Sequence, residues 1–85
     1  MSILKVSIIS QDQIAFQGDA EGVFVPTQSG IIEILPEHMQ LVSALQKGEI
    51  IVKTGSKEKK FKIIGGVLEV RAKSNVIILV DLVNE

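Results

Sequence analysis

The sequence of 85 residues contains no cysteine, no tryptophan and no tyrosine. Without cysteine, the chain can form neither a disulfide scaffold nor a thiolate metal site. Three phenylalanines are its only large aromatic residues, which leaves no stacking platform for single-stranded nucleic acid and disfavours an oligonucleotide-binding fold. Nine basic residues against ten acidic residues give a net charge of −1, whereas a duplex nucleic acid partner normally requires a basic excess.

Long apolar runs are also lacking. No run approaches the roughly 20 residues of a membrane-spanning helix, and the longest, residues 76–80, ends at Asp81. The first residues are interrupted by Lys5 and Ser7 and do not have the layout of a cleavable signal. We therefore expect an aqueous, reducing compartment, with any link to a membrane made through a partner.

The residues that carry common enzyme chemistry are scarce. A single histidine without cysteine cannot build the usual zinc cluster. The chain has no nucleophile elbow, no phosphate-binding glycine loop and no paired carboxylates on one strand. We predict no catalytic, cofactor-binding or metal-binding residues. His38 stays open as a general base, although a loop histidine more often bonds to the backbone.

Two further motifs have alternative interpretations. The lysines of residues 57–62 could bind phosphate groups, but they favour a solvated hairpin whose lysines block pairing at a sheet edge. Gly65 and Gly66 indicate a turn that requires positive φ rather than a ligand site.

What the chain does contain is alternating apolar and polar residues, with 46% hydrophobic residues in total. This alternation predicts short strands. The predicted strands are residues 3–10, 14–17, 20–25, 30–35, 49–53, 59–64, 67–71 and 76–80. Residues 41–45 fit a strand or a helical turn, and Gly18 and Asp19 are predicted to form a turn. The fully apolar residues 76–80 predict a strand buried on both faces, in a sandwich interior or at a contact surface.

Residues 26–48 depart from this regular alternation, because they hold both prolines and the only histidine. Pro26 and Pro36 are predicted to mark the ends of strands. Between them, Ile32 and Ile34 are predicted to point inward, with Ile31, Glu33 and Leu35 on the opposite face. The loop after Pro36 carries His38, and a loop on a rigid sheet is a common place for function.

Many short strands separated by turns at regular spacing predict an all-β fold, a small β-sandwich or flattened barrel. Eighty-five residues correspond to one domain, residues 1–85, which buries about 60–65% of its unfolded surface. Some apolar side chains are then left over for a partner. The residues alone thus indicate a non-enzymatic β domain that binds a protein.

Three blocks of sequence resemble one family, the epsilon subunit of F-type ATP synthases. The blocks cover nearly the whole chain and occur in the family's order. They are Leu4 to Gly18 with its Phe16-x-Gly18, the segment Gly30-x5-Pro36-x-His38-x2-Leu41-x3-Leu45-x2-Gly48, and Gly65-Gly66-Val67-Leu68-Glu69-Val70 followed by residues 75–81.

The resemblance implies a β-sandwich of about ten short strands at the foot of the rotor. In the family, this domain contacts the gamma subunit on one side and the ring of c subunits on the other, and transmits torque without bond chemistry. It would lie at the cytoplasmic face of the membrane as a peripheral subunit if the source is bacterial. The turn before the central strand faces the ring in the family. The residues implied there are Ser29, Gly30, Ile31, Ile32 and Glu33, with Pro36, Glu37 and His38 nearby.

Members of the family usually continue into a pair of C-terminal helices, whereas this sequence stops at Glu85. The inhibitory arm and the nucleotide-sensing site of some members lie in those helices. We therefore expect a domain that couples the rotor without blocking it. The alternative function is a β-sandwich adaptor of another complex, and recovery of gamma and c subunits in a pull-down would distinguish the two. A third possibility, an enzyme, would require turnover that is lost in His38→Ala.

Overall fold

The computed structural model describes residues 3–11, 13–37 and 40–82, and this part of the chain consists of β-strands joined by short turns. The strands are β1 (Leu4–Ser10), β2 (Gln13–Ala20), β3 (Gly22–Thr27), β4 (Gly30–Ile34), β5 (Leu41–Leu45), β6 (Gly48–Thr54), β7 (Lys57–Arg71) and β8 (Asn75–Leu82). The described residues thus form eight strands rather than about ten. Residues 59–64 and 67–71, predicted as two strands, belong to the single strand β7.

One continuous sheet folds over on itself to make two layers. β2, β1, β8, β7 and β5 form the larger layer, and β4, β3, β6 and β7 form the smaller one. β7 belongs to both layers, because its first half pairs with β6 and its second half pairs with β5 and β8. The pair Thr27 and Leu45 joins β3 to β5 and closes the fold on its other side. The prediction of a small all-β sandwich is confirmed.

The interior is filled by the inward-facing residues of alternating strands. Leu4, Val6 and Ile8 of β1 are all buried, while Lys5 between them is exposed. The buried aliphatic side chains are Leu4, Val6, Ile8, Ala20, Val23, Val25, Ile34, Leu45, Ile50, Val52, Ile63, Leu68, Val70, Val76, Ile78 and Val80. Phe16, Phe61, Ile32, Leu41 and Leu82 pack around this cluster. The strand faces predicted for β1, β3, β4, β6 and β7 are therefore confirmed, and residues 41–45 form a strand.

The turn predicted at Gly18 and Asp19 is wrong. Both residues continue β2, where they pair with Val6 and Lys5 of β1. The chain turns at Glu21, whose N–H donates to the carbonyl of Lys53 at 2.8 Å. The backbone hydrogen bonds to β1 extend as far as Leu4 and Ala20, and this pairing outweighs the local turn tendency of a Gly-Asp pair.

The turn predicted at Gly65 and Gly66 is also wrong. Both glycines lie inside β7, and neither has positive φ. The reason for glycine at position 66 is close packing: a Cβ placed there would lie only 2.3 Å from the carbonyl oxygen of Leu79. A register shift between Ile63 and Gly65 re-aims β7 at the point where it passes from one layer to the other.

The prediction that residues 76–80 are buried on both faces is wrong for the chain by itself. Val76, Ile78 and Val80 are buried, whereas Leu79 is 51% exposed and Ile77 is half-buried. No second layer covers the outer face of β8 in the described structure. The other interpretation of residues 76–80, that they form a contact surface, stays a prediction that fits the apolar outer face of this central strand.

Candidate protein-binding surfaces

The turn between β3 and β4 is held in shape by one hydroxyl group. Thr27 Oγ1 donates to the carbonyl of Gly30 at 2.7 Å and accepts from the N–H of Ser29 at 3.2 Å. Thr27 is itself buried. Gly30 has φ of 111°, a conformation that residues with a Cβ rarely adopt, and a Cβ there would meet nothing within 4 Å. The strain-free glycine and the two hydrogen bonds fix the direction in which the turn points.

The strand that leaves this turn alternates as predicted. Ile34 is fully buried and Ile32 packs against the core, whereas Ile31 is 74% exposed. Ile31 is the most exposed of the large apolar side chains in the described structure. Ser29, Gly30 and Ile31 together form an exposed tip, called here the β3–β4 tip, with an apolar side chain at its base.

Glu33 lies on the same face as Ile31, but its carboxylate already has a partner. Its Oε2 is 3.7 Å from Nζ of Lys53 on β6, and both side chains are about one-third exposed. The same Lys53 ammonium lies 5.5 Å from the centre of the Phe24 ring. Glu33 therefore belongs to a small charged cluster on the outer face of the smaller layer, and the sequence pattern gave no sign of this pairing.

Glu37 does not lie beside the β3–β4 tip. Its N–H donates to Oγ of Ser74 at 2.9 Å, in the turn between β7 and β8. β4 separates it from Gly30, and five residues of strand span about 15 Å. The predicted proximity is thus wrong for Glu37, while Ser29, Gly30, Ile31, Ile32 and Glu33 are consecutive and adjacent. His38 lies outside the described residues.

A second surface, which the sequence analysis did not assemble, crosses the outer face of the larger layer. Five apolar residues stand opposite one another on five neighbouring strands, and we call them the apolar row. They are Ala44, Val67, Leu79, Ile9 and Ile14. Ile14 is 60% exposed, and Val67 and Leu79 are about half exposed. The signal in the sequence was the uninterrupted apolar run of β8, but the register that aligns the other four residues is a tertiary property.

The described residues contain no candidate metal-binding cluster. No group of three or more His, Cys, Asp or Glu side chains lies together among them. A groove of about 410 Å³ on the larger layer is lined by Lys5, Asp19, Arg71 and Asn75, among others. A hydrogen bond from Arg71 to Glu69 at 3.1 Å, together with the charge of Glu69, raises the pKa of Arg71. Arginine is already protonated at physiological pH, so this pair does no proton transfer.

Within the same ranges, the structure has no helix that is long and apolar enough to cross a membrane. The described residues form a small β-sandwich with two exposed apolar features, the β3–β4 tip and the apolar row. The chain belongs to the family described as ATP synthase, Delta/Epsilon chain, beta-sandwich domain, whose model matches residues 3–84. The resemblance noted in the sequence is confirmed.

Curated relatives agree with this assignment. The ATP synthase epsilon chain of Leptospira interrogans is 37% identical over 78 residues, which cover 92% of this chain and 61% of the relative. That of Hydrogenovibrio crunogenus is 41% identical over 78 residues, covering 92% of this chain and 54% of the relative. The chain therefore spans between about half and three-fifths of the length of these relatives.

Solved structures have the same fold. A chain of the mitochondrial ATP synthase of Euglena gracilis, in a structure of its OSCP, F1 and c-ring, superposes with a TM-score of 0.88 at 23% identity. The match covers 94% of this chain and 51% of that chain. A chain from the central stalk and c-ring of the Tetrahymena thermophila enzyme gives 0.75 at 18% identity, covering 92% and 63%. At these identities the likeness concerns the fold.

Proposed function

We propose that this chain is the β-sandwich of an epsilon-type subunit in the central stalk of a rotary ATP synthase. In this role it catalyses no reaction and links the gamma subunit to the membrane-embedded c ring. It acts at the cytoplasmic face of a bacterial membrane. Two findings support the proposal: the bacterial relatives are ATP synthase epsilon chains, and a similar fold occurs in a solved central stalk with its c-ring.

The observation that carries the proposal is the exposed Ile31 on the β3–β4 tip. A 74% exposed isoleucine contributes little to the folding of its own domain, and at an interface it can act as an apolar anchor. The hydrogen bonds of Thr27 hold the tip in one conformation before it binds. Such preorganisation lowers the conformational entropy lost on association. We assign the c-ring contact to Ser29, Gly30 and Ile31.

The apolar row supplies a second contact surface on a different part of the domain. It crosses five strands, and at about 4.8 Å between strands it extends roughly 19 Å. An α-helix of about 13 residues has the same length. We assign this row to gamma, so that the two partners can be held at the same time by separate surfaces.

Coupling of rotation requires a domain that resists deformation between its two contacts. β7 runs through both layers without interruption, and the Thr27–Leu45 pair closes the fold on the other side. Relative sliding of the layers would break backbone hydrogen bonds on both sides. This closed arrangement supports a role as a rigid connector.

The test of the ring contact is Ile31→Glu, with Leu35→Glu as its matched control. Leu35 follows the same strand and is 50% exposed, but it lies beyond the far end of β4. We expect both variants to melt within a few degrees of the wild-type domain. Binding of the head-plus-stalk complex to stripped membranes is expected to weaken at least about tenfold for Ile31→Glu only, as loss of an anchor side chain would do.

If the Ile31→Glu domain melts normally and the complex still binds stripped membranes with wild-type affinity, the ring contact lies elsewhere on the domain.

The gamma contact is tested separately with Leu79→Glu, and Leu35→Glu is again the control. We expect Leu79→Glu to weaken association with the catalytic head and gamma, because a charge would be buried in the apolar row without a partner. Unchanged association of a folded Leu79→Glu domain would remove the row from the gamma interface.

A further inference from the structure

Positive charge is concentrated in the hairpin of β6 and β7. Residues 49–62 hold five of the nine basic residues of the chain and two of its ten acidic residues, for a net charge of +3. The rest of the chain holds four basic and eight acidic residues, for a net charge of −4 with histidine neutral. The near-neutral total therefore hides a basic arm on an acidic domain.

The arm runs away from the β3–β4 tip, and only its turn lies at the opposite end of the sandwich. Lys53 of β6 is opposite Gly22, the first residue of β3, and the N–H of Gly55 donates to Glu21 at 3.1 Å. The β3–β4 turn follows Thr27 at the other end of β3. Six residues of extended strand separate the two ends by about 20 Å.

Three lysines of the arm are open to solvent. Lys57, Lys59 and Lys60 are exposed, and the described structure has no carboxylate in an ion pair with any of them. Lys59 lies 5.5 Å from the centre of the Phe16 ring, and Phe16 packs edge to face against Phe61. These ring contacts connect the arm to β2 and hold Lys59 against the Phe16 ring.

Protection of a sheet edge explains part of this pattern. The first half of β7 pairs with β6 on one side only, so its other edge is unpaired. Charged side chains of either sign would discourage edge-to-edge pairing with another chain. Edge protection therefore explains why this strand carries charged residues, but it does not require that they be positive. Reversing their sign keeps the edge protected and removes the attraction to an acidic partner, so it separates the two roles.

We propose that Lys57, Lys59 and Lys60 form a docking surface for an acidic protein segment on the side of the ATP synthase that faces away from the c ring. The proposal rests on the proposed function, which directs the β3–β4 tip toward the ring. Measured along β3, the tip is about 20 Å from the level of Lys57 but only about 10 Å from the level of Lys60, which is paired with Ile51. An anionic membrane surface beyond the tip would lie farther away than one Debye length, about 8 Å at physiological salt, and would be largely screened from these lysines.

The test is Lys57→Glu/Lys60→Glu, with Lys47→Glu/Lys73→Glu as the control of equal charge change. Lys47 and Lys73 are exposed lysines in turns outside the arm. The association rate constant is measured with a catalytic head that retains gamma but lacks this subunit and the ring. At low salt we expect the arm variant to associate at least about tenfold more slowly than the control, with a smaller salt dependence. Lys57→Gln/Lys60→Gln should give an intermediate rate and serves as the second variant if the charge reversal impairs folding.

Three results would overturn this inference. Equal rates for the arm and control variants, with normal binding of wild type, would leave the lysines to edge protection and leave the proposed function intact. Absence of any binding between the wild-type domain and the head would overturn the proposed function itself. Binding of wild type to vesicles containing about one-third phosphatidylserine, lost in the arm variant and retained in the control, would assign the lysines to a lipid surface.

Discussion

Gly66 of β7 lies so close to Leu79 of β8 that a Cβ at position 66 would be 2.3 Å from the Leu79 carbonyl oxygen and 2.8 Å from a methyl carbon of Val80. The neighbouring Gly65 has only the Leu45 carbonyl oxygen nearby, at 3.6 Å. Two adjacent glycines of one strand therefore differ completely in the space around them. The close approach lies next to the apolar row, whose Val67 and Leu79 face each other across the same pair of strands.

Gly66→Ala is expected to destabilise the domain by about 1–3 kcal/mol or more, because the closest contacting atom is a backbone carbonyl oxygen that cannot move aside. Gly65→Ala is expected to change the free energy of unfolding by less than about 1 kcal/mol, since its surroundings have room for a methyl group. Urea unfolding of both variants measures this difference. Equal stability of the two would contradict the strand spacing described here.

Ile34 and Leu68 are both fully buried, on strands of different layers. Truncation of each to alanine is expected to cost about 2–5 kcal/mol, from lost apolar burial and the cavity left behind. Ile31→Ala is the matched control on the same strand as Ile34 and should cost no more than about 0.5 kcal/mol. Because small domains are only marginally stable, Ile34→Ala can approach complete unfolding. Denaturation midpoints that stay near wild type for both core variants would refute their assigned faces.

Thr27→Val keeps the shape of the side chain and removes the hydroxyl that bonds to Ser29 and Gly30. We expect a loss of about 1–3 kcal/mol, because the Gly30 carbonyl and the Ser29 N–H lose their partner at a partly buried site. Ser43→Ala, which removes an exposed hydroxyl 3.3 Å from the Ala44 carbonyl, should be nearly neutral. Hydrogen exchange of the Ser29 amide reports on the turn directly. Unchanged protection of that amide in Thr27→Val would show that the hydroxyl does not hold the tip.

Glu33→Gln tests whether this carboxylate serves folding or binding. Because Glu33 is paired with Lys53 at 3.7 Å and both are partly exposed, we expect a loss of about 0.2–1 kcal/mol in stability. The salt dependence of attachment to stripped membranes is expected to stay as in wild type. A clearly weaker salt dependence would mean that the carboxylate leaves Lys53 for a charged group on the partner.

The strand faces were predictable because a period of two fixes them locally. The alternation correctly predicts the inward direction of Ile32, Ile34, Leu68 and Val70. Each strand has only one face toward the interior, so its alternate apolar residues must lie on that face. The turn before Gly30 was also predictable from local sequence, because polar residues followed by glycine are typical of a turn between two strands. These features depend on residues that are neighbours in sequence.

Features that depend on distant neighbours are not predictable from the alternation. Gly65 and Gly66 carry the sequence signal of a turn, whereas the glycine at position 66 makes room for β8. Glu33 and Lys53 are twenty positions apart, and their ion pair depends on the register of β3 between β4 and β6. The apolar row likewise depends on the register of five strands. Alternation fixes which face a side chain is on but not which residues stand beside it.

The parallel pairing of β1 with β8 sets the order in which the domain can assemble on the ribosome. Lys5 pairs with Asn75 and Ile9 with Leu79, so the inner edge of the first strand has its partner in the last one. At synthesis rates of about 5–20 residues per second, roughly 4–14 s separate the appearance of β1 from that of the end of β8. During this interval the β1–β2 hairpin exposes an unpaired edge and the apolar residues of β1, which makes the nascent chain a target for a chaperone until its final strand has been made.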